Sequence, residues 1–453
     1  MLNQIITYWK LHKIPIVLAI LSIGFYYTFA NHLDRTDFIK LITLFGALFF
    51  LCFKLIQFEK WNFKFLLFVG ILFRLVFLLT EPNLSQDYYR FIWDGELVLN
   101  FINPYLQLPN TLIEQQDLVI SNAHELYLGM GELSARHYSN YPPLSQFIYA
   151  LTAMLGGKSI LGATVVMRSI IILSDIGIFY FGRKLLKNLN LSPHLIFWYF
   201  LNPLIIIELT GNLHFEGVML CFFIASLYLL SIKKWMLAAV IYALSISVKL
   251  VPLIFLPLFL KHLGFRKSVL FFIIVGITSL TLLAPFLSSQ FISNYIDTIG
   301  LWFSNFEFNS GLYNGIKQIA LKLEAKPWEL IKTYGKITPY VIVSFVLLFT
   351  FLRKNQKLSV LITSMLWILT VYYLLAATVH PWYIVFLVLL TIFTPYRFSL
   401  VWSLVVILSY YAYSQIGFKE HLGLLSIEYI VVYGFIIFEL FRLKSLKLLF
   451  RKN

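Results

Sequence analysis

The chain has 453 residues, 60% of them hydrophobic and only 13% charged, with a mean hydropathy of +0.81. A soluble globular protein of this length could not bury so much apolar surface, so that class is excluded. The net charge of +15 would point to nucleic acid in a soluble protein. Here the basic residues sit in short connections between apolar runs, where the positive-inside rule explains them without a nucleic-acid partner.

The first apolar run, about 14–31, follows Lys10 and Lys13 as a signal peptide would. Further runs follow at once, so an uncleaved first helix is expected. Runs at 38–57 and 63–80 come next, joined by a connection holding Lys54, Lys60 and Lys64 that reads as cytoplasmic. Residues 81–141 are then expected outside as a catalytic loop, too long for a plain connector. Its end, Tyr141-Pro142-Pro143-Leu144, starts the next helix with proline in the first turn.

Later runs fall near 143–157, 159–182, 193–209, 215–232, 235–248, 250–260, 268–287, 338–352, 358–379, 381–395, 398–417 and 424–441. Basic clusters from Arg183 to Lys187, Lys233-Lys234, Lys261 to Lys267, Arg353 to Lys357, Arg397, and Arg442 to Lys452 mark the inside. Alternation works except at 143–182, where one of two segments must be short or interfacial. A second outer loop is expected over 288–337. The result is an all-α polytopic membrane protein, one integral domain over 1–453 with about 12–14 transmembrane helices, multi-pass in the cell (cytoplasmic) membrane among membrane lipids.

With that topology, the polar residues beside the spans gather on the outer side, and ionisable groups at membrane depth are usually functional. In Ser85-Gln86-Asp87-Tyr88-Tyr89-Arg90-Phe91-Ile92-Trp93-Asp94-Gly95, a helix would put Asp87 and Asp94 two turns apart on one face, with Arg90 and Phe91 between. This face can grip a polar ring, or be an interfacial helix with a charged rim. Asp87 is the candidate general base, since partial burial beside Tyr88, Tyr89 and Trp93 would make it a better proton acceptor; the alternative is a solvated loop carboxylate. Asp94-Gly95 reads either as a helix-ending turn or as a holder for a sugar hydroxyl.

In Gly211-Asn212-Leu213-His214-Phe215-Glu216-Gly217, Asn212 suits a helix cap. His214 and Glu216 can hold substrate or a metal, although two ligands make an incomplete metal set. Lys249 can snorkel from a helix end or hold a phosphate. His380, before Pro381, can meet an anion at a helix N-terminus, with Trp382 and Tyr383 as belt residues or sugar platforms. Arg168 and Asp175, seven apart in one apolar run, read as structural partners of other helices. Cys52 and Cys221 sit singly in apolar runs and read as packing. His124-Glu125 is followed by Leu126-Tyr127-Leu128, so there is no HExxH, and no glycine-rich phosphate loop occurs.

Taken in order, Ser85-x-Asp87-x-Tyr89-Arg90-x-x-Trp93-Asp94-Gly95, Asn103-Pro104-Tyr105, Tyr141-Pro142-Pro143-Leu144, Asn202-Pro203, Gly211 to Gly217, Ser247 to Pro252 and His380 to Tyr383 resemble the GT-C superfamily of polytopic glycosyltransferases. The likeness is to bacterial mannosyltransferase-like members related to the enzymes of glycolipid-anchor assembly, and runs from about 70 to 395. It implies a polyprenyl-phosphate sugar donor, a lipid or glycan acceptor, inversion at the anomeric carbon, and a site on the extracytoplasmic face. Asp87 matches the family's outer-loop acidic residue; Lys249 and His380 match motifs near the donor phosphate. Arg90, Trp93, Asp94, His214, Glu216, Trp382 and Tyr383 complete the expected substrate contacts. Gln86 stands where many relatives carry a second acid, which puts in doubt a divalent metal ion held by an acidic pair. The other class in view, a secondary transporter or lipid-linked sugar flippase, would place polar groups at mid-membrane and often show inverted repeats; no repeat is visible.

Overall fold

The computed structural model describes residues 2–415 and 417–449. Among them there are helices and turns but no strand, only one isolated parallel bridge between Phe308 and Thr378. The first helices are α1 (Leu2–His32), α2 (Phe38–Glu59), α3 (Phe63–Leu75), α4 (Asp87–Leu99), α5 (Pro109–Leu112), α6 (Ala123–Ala135), α7 (Pro143–Leu155) and α8 (Ile160–Asn188). Local chemistry sets their starts. Asp37, Asn62 and Ser159 each accept a first-turn N–H, capping α2, α3 and α8. Pro143 opens α7, as its sequence implies.

Seven helices are long and apolar enough to cross a membrane, and a bent pair, Pro193–Phe200 with Pro203–Gly211, makes an eighth candidate. Six further apolar helices have only 10–17 residues. The expected 12–14 spans are thus split between full-length and short helices, because Pro and Gly break the later runs. The third run is also shorter than its predicted 63–80: helix ends at Leu75 and turns carry the chain to Thr80. Of the two segments at 143–182, α8 is long enough to cross and α7 is the short one. Its 13 residues rise about 20 Å, well short of the ~30 Å hydrocarbon core. In the other direction, the helix expected at 338–352 begins at Pro327. The last four residues of the basic tail, 450–453, lie outside the described residues.

One connected apolar core joins helices from α1 to the final helix Leu422–Leu449. Span surfaces stay apolar outward, as at Tyr340 and Ile430, which suits contact with lipid chains. Two buried arginines stitch the interior. Arg74 Nε pairs with Asp175 at 2.7 Å, both fully buried. Arg168 donates to the carbonyls of Leu78, Thr80, Thr210 and Gly211. Arg168 and Asp175 are therefore structural, and together they tie α8 to the α3–α4 connection and the bent pair.

Candidate active site

Residues 81–141 hold α4, α5 and α6, and α4 packs closely on α7. Gly95 makes that approach possible: a Cβ there would sit 2.3 Å from the Tyr149 carbonyl oxygen. Asp94-Gly95 accordingly ends no helix. One turn earlier, Arg90 Nε donates to Asp94 Oδ1 at 2.7 Å, while its NH1 reaches the carbonyls of Ser134 and His137. The other Asp94 oxygen accepts from Ser139 Oγ at 2.6 Å and Gln146 Nε2 at 3.2 Å.

Three of the expected sugar contacts are buried in the packing. Arg90, Trp93 and Asp94 are 3%, 0% and 0% exposed, and both carboxylate oxygens of Asp94 are already satisfied within the protein. The seven-residue spacing does put Asp87 and Asp94 on one face, but it also separates them by about 10 Å along the axis. One opens the helix, the other lies in the packing.

Asp87 opens the first turn of α4, half-buried, with its N–H on Ser85 Oγ. Among the described residues its carboxylate has neither hydrogen bond nor ion pair. Its charge acts on the hydroxyls of Tyr141, Tyr383 and Tyr413. Desolvation, with the carboxylates of Asp87, Asp94 and Glu216 nearby, holds the Tyr141 hydroxyl well above the usual phenol range, so it remains a proton donor. Gln86 is turned away, donating to the Met130 carbonyl at 3.1 Å.

The second part comes from the bent pair. It is bent by 53° and ends in a π-helical turn, Ile206–Gly211; such turns are rare and often mark functional sites. The turn sends Glu208 inward, fully buried. Glu208 Oε1 accepts from the Tyr410 hydroxyl at 2.8 Å, and Oε2 from Asn212 Nδ2 at 3.0 Å. Asn212 therefore does not cap the next helix; its Oδ1 instead holds the Leu84 N–H at 3.3 Å, just before α4. His214 Nδ1 lies 3.0 Å from the Glu208 carbonyl and 3.3 Å from its Oε2. That contact places a proton on Nδ1, and the buried Nε2 has no partner among the described residues.

His214 stacks on Trp382 at 3.9 Å, and Trp382 on His380 at 4.3 Å. Residues 166 positions apart thus form one pile of rings, with Tyr383 edge-on to it. The indole surface expected to carry a sugar is already used by imidazoles. The loop 306–310 closes this side: the Phe308 N–H donates to the Ala377 carbonyl, the Phe308 carbonyl accepts from the Val379 N–H, and the Phe308 ring lies 5.0 Å from His380. Burial foremost, then the charges of His214, Lys249 and Arg35, lowers the His380 pKa to about 3. Near neutral pH His380 offers a hydrogen bond, not a cation; it stands before a helix start, the 3₁₀ turn Pro381–Tyr383 running straight into the helix Ile384–Thr391.

Glu216 and Lys249 pair at 2.6 Å. The expected sharing of one ligand by His214 and Glu216 is absent: His214 belongs to Glu208 and Glu216 to Lys249. Nor is Lys249 a free charge for phosphate. Among the described residues no three of His, Cys, Asp and Glu gather as a metal set, and Gln86 leaves Asp87 without an acidic neighbour.

Arg35, Glu208, Tyr410 and Tyr413 were not among the expected site residues. Glu208 had a readable signal, a lone carboxylate inside the run 193–209. Arg35 was hidden in Leu33-Asp34-Arg35-Thr36-Asp37, which reads as an ordinary charged connection.

A family model described as "Alpha-(1->6)-mannopyranosyltransferase, N-terminal domain" matches residues 35–263. The matched stretch includes Asp87, Glu208, His214, Glu216 and Lys249, and stops before His380, Trp382 and Tyr383. No curated protein matches the chain.

Proposed function

The chain belongs to the alpha-(1->6)-mannopyranosyltransferase family, a mannosyltransferase type of glycosyltransferase, and from that premise we propose that it moves mannose from a polyprenyl-phosphate donor to a lipid or glycan hydroxyl on the extracytoplasmic face. The observation that carries the site assignment is Asp87: a half-buried carboxylate at the start of α4 with no partner among the described residues, where Arg90 and Asp94 on the same helix pair with each other.

In this reading Asp87 takes the proton of the acceptor hydroxyl as its oxygen attacks the anomeric carbon. The bond from that carbon to the phosphate oxygen breaks, and polyprenyl phosphate leaves with the electron pair. From a β-linked donor an α product is inversion. His214 Nε2 accepts from a sugar hydroxyl, and the protonated Tyr141 hydroxyl donates beside Asp87. Residues 81–141 and 288–337 lie outside, where a lipid-linked donor makes a nucleotide fold unnecessary. No step in this reading is routed through a metal.

The test is transfer from radiolabelled polyprenyl-phosphate mannose in membranes carrying wild type or Asp87→Asn. Transfer by wild type and a loss of roughly 10²–10⁴-fold in the variant are expected, the usual range for a general base. Equal transfer by both removes Asp87 from the chemistry, and none from wild type removes the donor.

A further inference from the structure

Five cations lie in or beneath the site, and four of them hold an ion pair or carbonyl partners, although Arg74 and Arg90 each keep one buried Nη2 without a hydrogen bond. Arg74 is paired with Asp175, Arg90 with Asp94 and Lys249 with Glu216, while Arg168 is held by carbonyls. Arg35 differs. Among the described residues it forms no ion pair, and its Nε is buried with no hydrogen-bond partner. Its neighbour Asp34 forms no ion pair with it; Asp34 Oδ1 instead accepts from the Thr36 N–H at 2.8 Å and the Thr36 hydroxyl at 2.6 Å.

The position of Arg35 is equally specific. Its guanidinium lies 3.4 Å from the centre of the Tyr413 ring. Tyr413 packs 5.7 Å from Tyr410, whose hydroxyl holds Glu208, and 5.9 Å from Phe308, which covers His380. The Arg35 charge is felt at His380, and that of Asp87 at Tyr413. Cation and carboxylate therefore border the same group of rings. The guanidinium rests on the Tyr413 ring and also meets its hydroxyl, while its buried Nε has no hydrogen-bond partner, and the N–H edge of a guanidinium matches the spacing of two phosphate oxygens.

We propose that Arg35 is the phosphate-binding residue of this site, receiving the phosphate of a lipid-linked sugar and holding it as the leaving group, in place of the Lys249 that its motif suggests. The inference rests on the reading that the donor is a polyprenyl phosphate. As the carbon–oxygen bond breaks, negative charge grows on the departing oxygen, and a fixed cation there stabilises it without reorganisation.

Binding of a polyprenyl phosphate and of the matching polyprenol, which lacks the phosphate, decides the matter. It is measured on the full chain in detergent by native mass spectrometry, for wild type, Arg35→Gln and Arg35→Lys. Wild type is expected to prefer the phosphate by about tenfold or more, the scale of a charge-assisted hydrogen bond. Arg35→Gln should lose the preference, and Arg35→Lys should keep part of it, having the charge but not the fork. A wild-type preference that survives in Arg35→Gln overturns the role of Arg35 and leaves the donor reading standing. No preference in wild type overturns the donor reading and the inference with it. Should Arg35→Gln fail to fold, Arg35→Lys decides alone, an undiminished preference counting against the proposal.

Discussion

Asp87 and Asp94 stand on one face of one helix, two turns apart, in opposite circumstances. Asp94 is fully buried, with Arg90, Ser139 and Gln146 on its two oxygens. Asp87 is half-buried, and its carboxylate has no protein partner among the described residues. The same residue type thus does two jobs, and saturation tells them apart: a satisfied charge holds the fold, an unsatisfied one waits for a ligand. Arg90 and Arg35 repeat the contrast among the cations.

The comparison can be broken at either carboxylate. Asp87→Asn should show the largest effect, the loss of transfer given above, with its thermal unfolding midpoint in detergent unchanged. Asp94→Asn should do the reverse, leaving Arg90 buried with weakened compensation at a cost of about 3–5 kcal/mol, read as a lower midpoint and yield. A stable but inactive Asp94→Asn would erase the distinction. Gly95→Ala probes the packing end without touching charge. Its new Cβ meets backbone, which cannot swing aside, so a loss of about 1–3 kcal/mol is expected from the same unfolding measurement.

The smallest effect concerns His380, held to about 3 against ~6.5 in an unfolded chain. Below ~6.5 the unfolded chain takes a proton that the folded ring refuses. This group's stabilising contribution is therefore complete above ~6.5 and is lost as pH falls toward 3. His380→Phe, which keeps a ring in the pile, should flatten the midpoint between pH 7 and 4; an unchanged slope would place the acid sensitivity elsewhere.

Much of this was legible because it is local. Alternating apolar runs and basic connections give a helical membrane protein, and Asp87 stood out as a carboxylate in an aromatic setting after a span. Spacing also put Asp87 and Asp94 on one face, but periodicity says nothing of depth along the axis, so Asp94 and Trp93 were assigned to substrate. Arg74 and Asp175 are 101 residues apart, and His214 meets Trp382 only through tertiary packing. No local rule reaches such distances. Arg35 was illegible for another reason: its significance is the absence of a partner, which only the folded chain can reveal.

The π-helical turn at Ile206–Gly211 acts as a phase shifter. It uses one residue more per turn than an α-helix requires, and each residue is worth roughly 100° of rotation. Removing that single residue would spare every side chain that matters and yet re-aim them, swinging Glu208 relative to Asn212 and His214. The arrangement depends on a count as much as on chemistry, so a one-residue deletion there should be more damaging than many substitutions nearby.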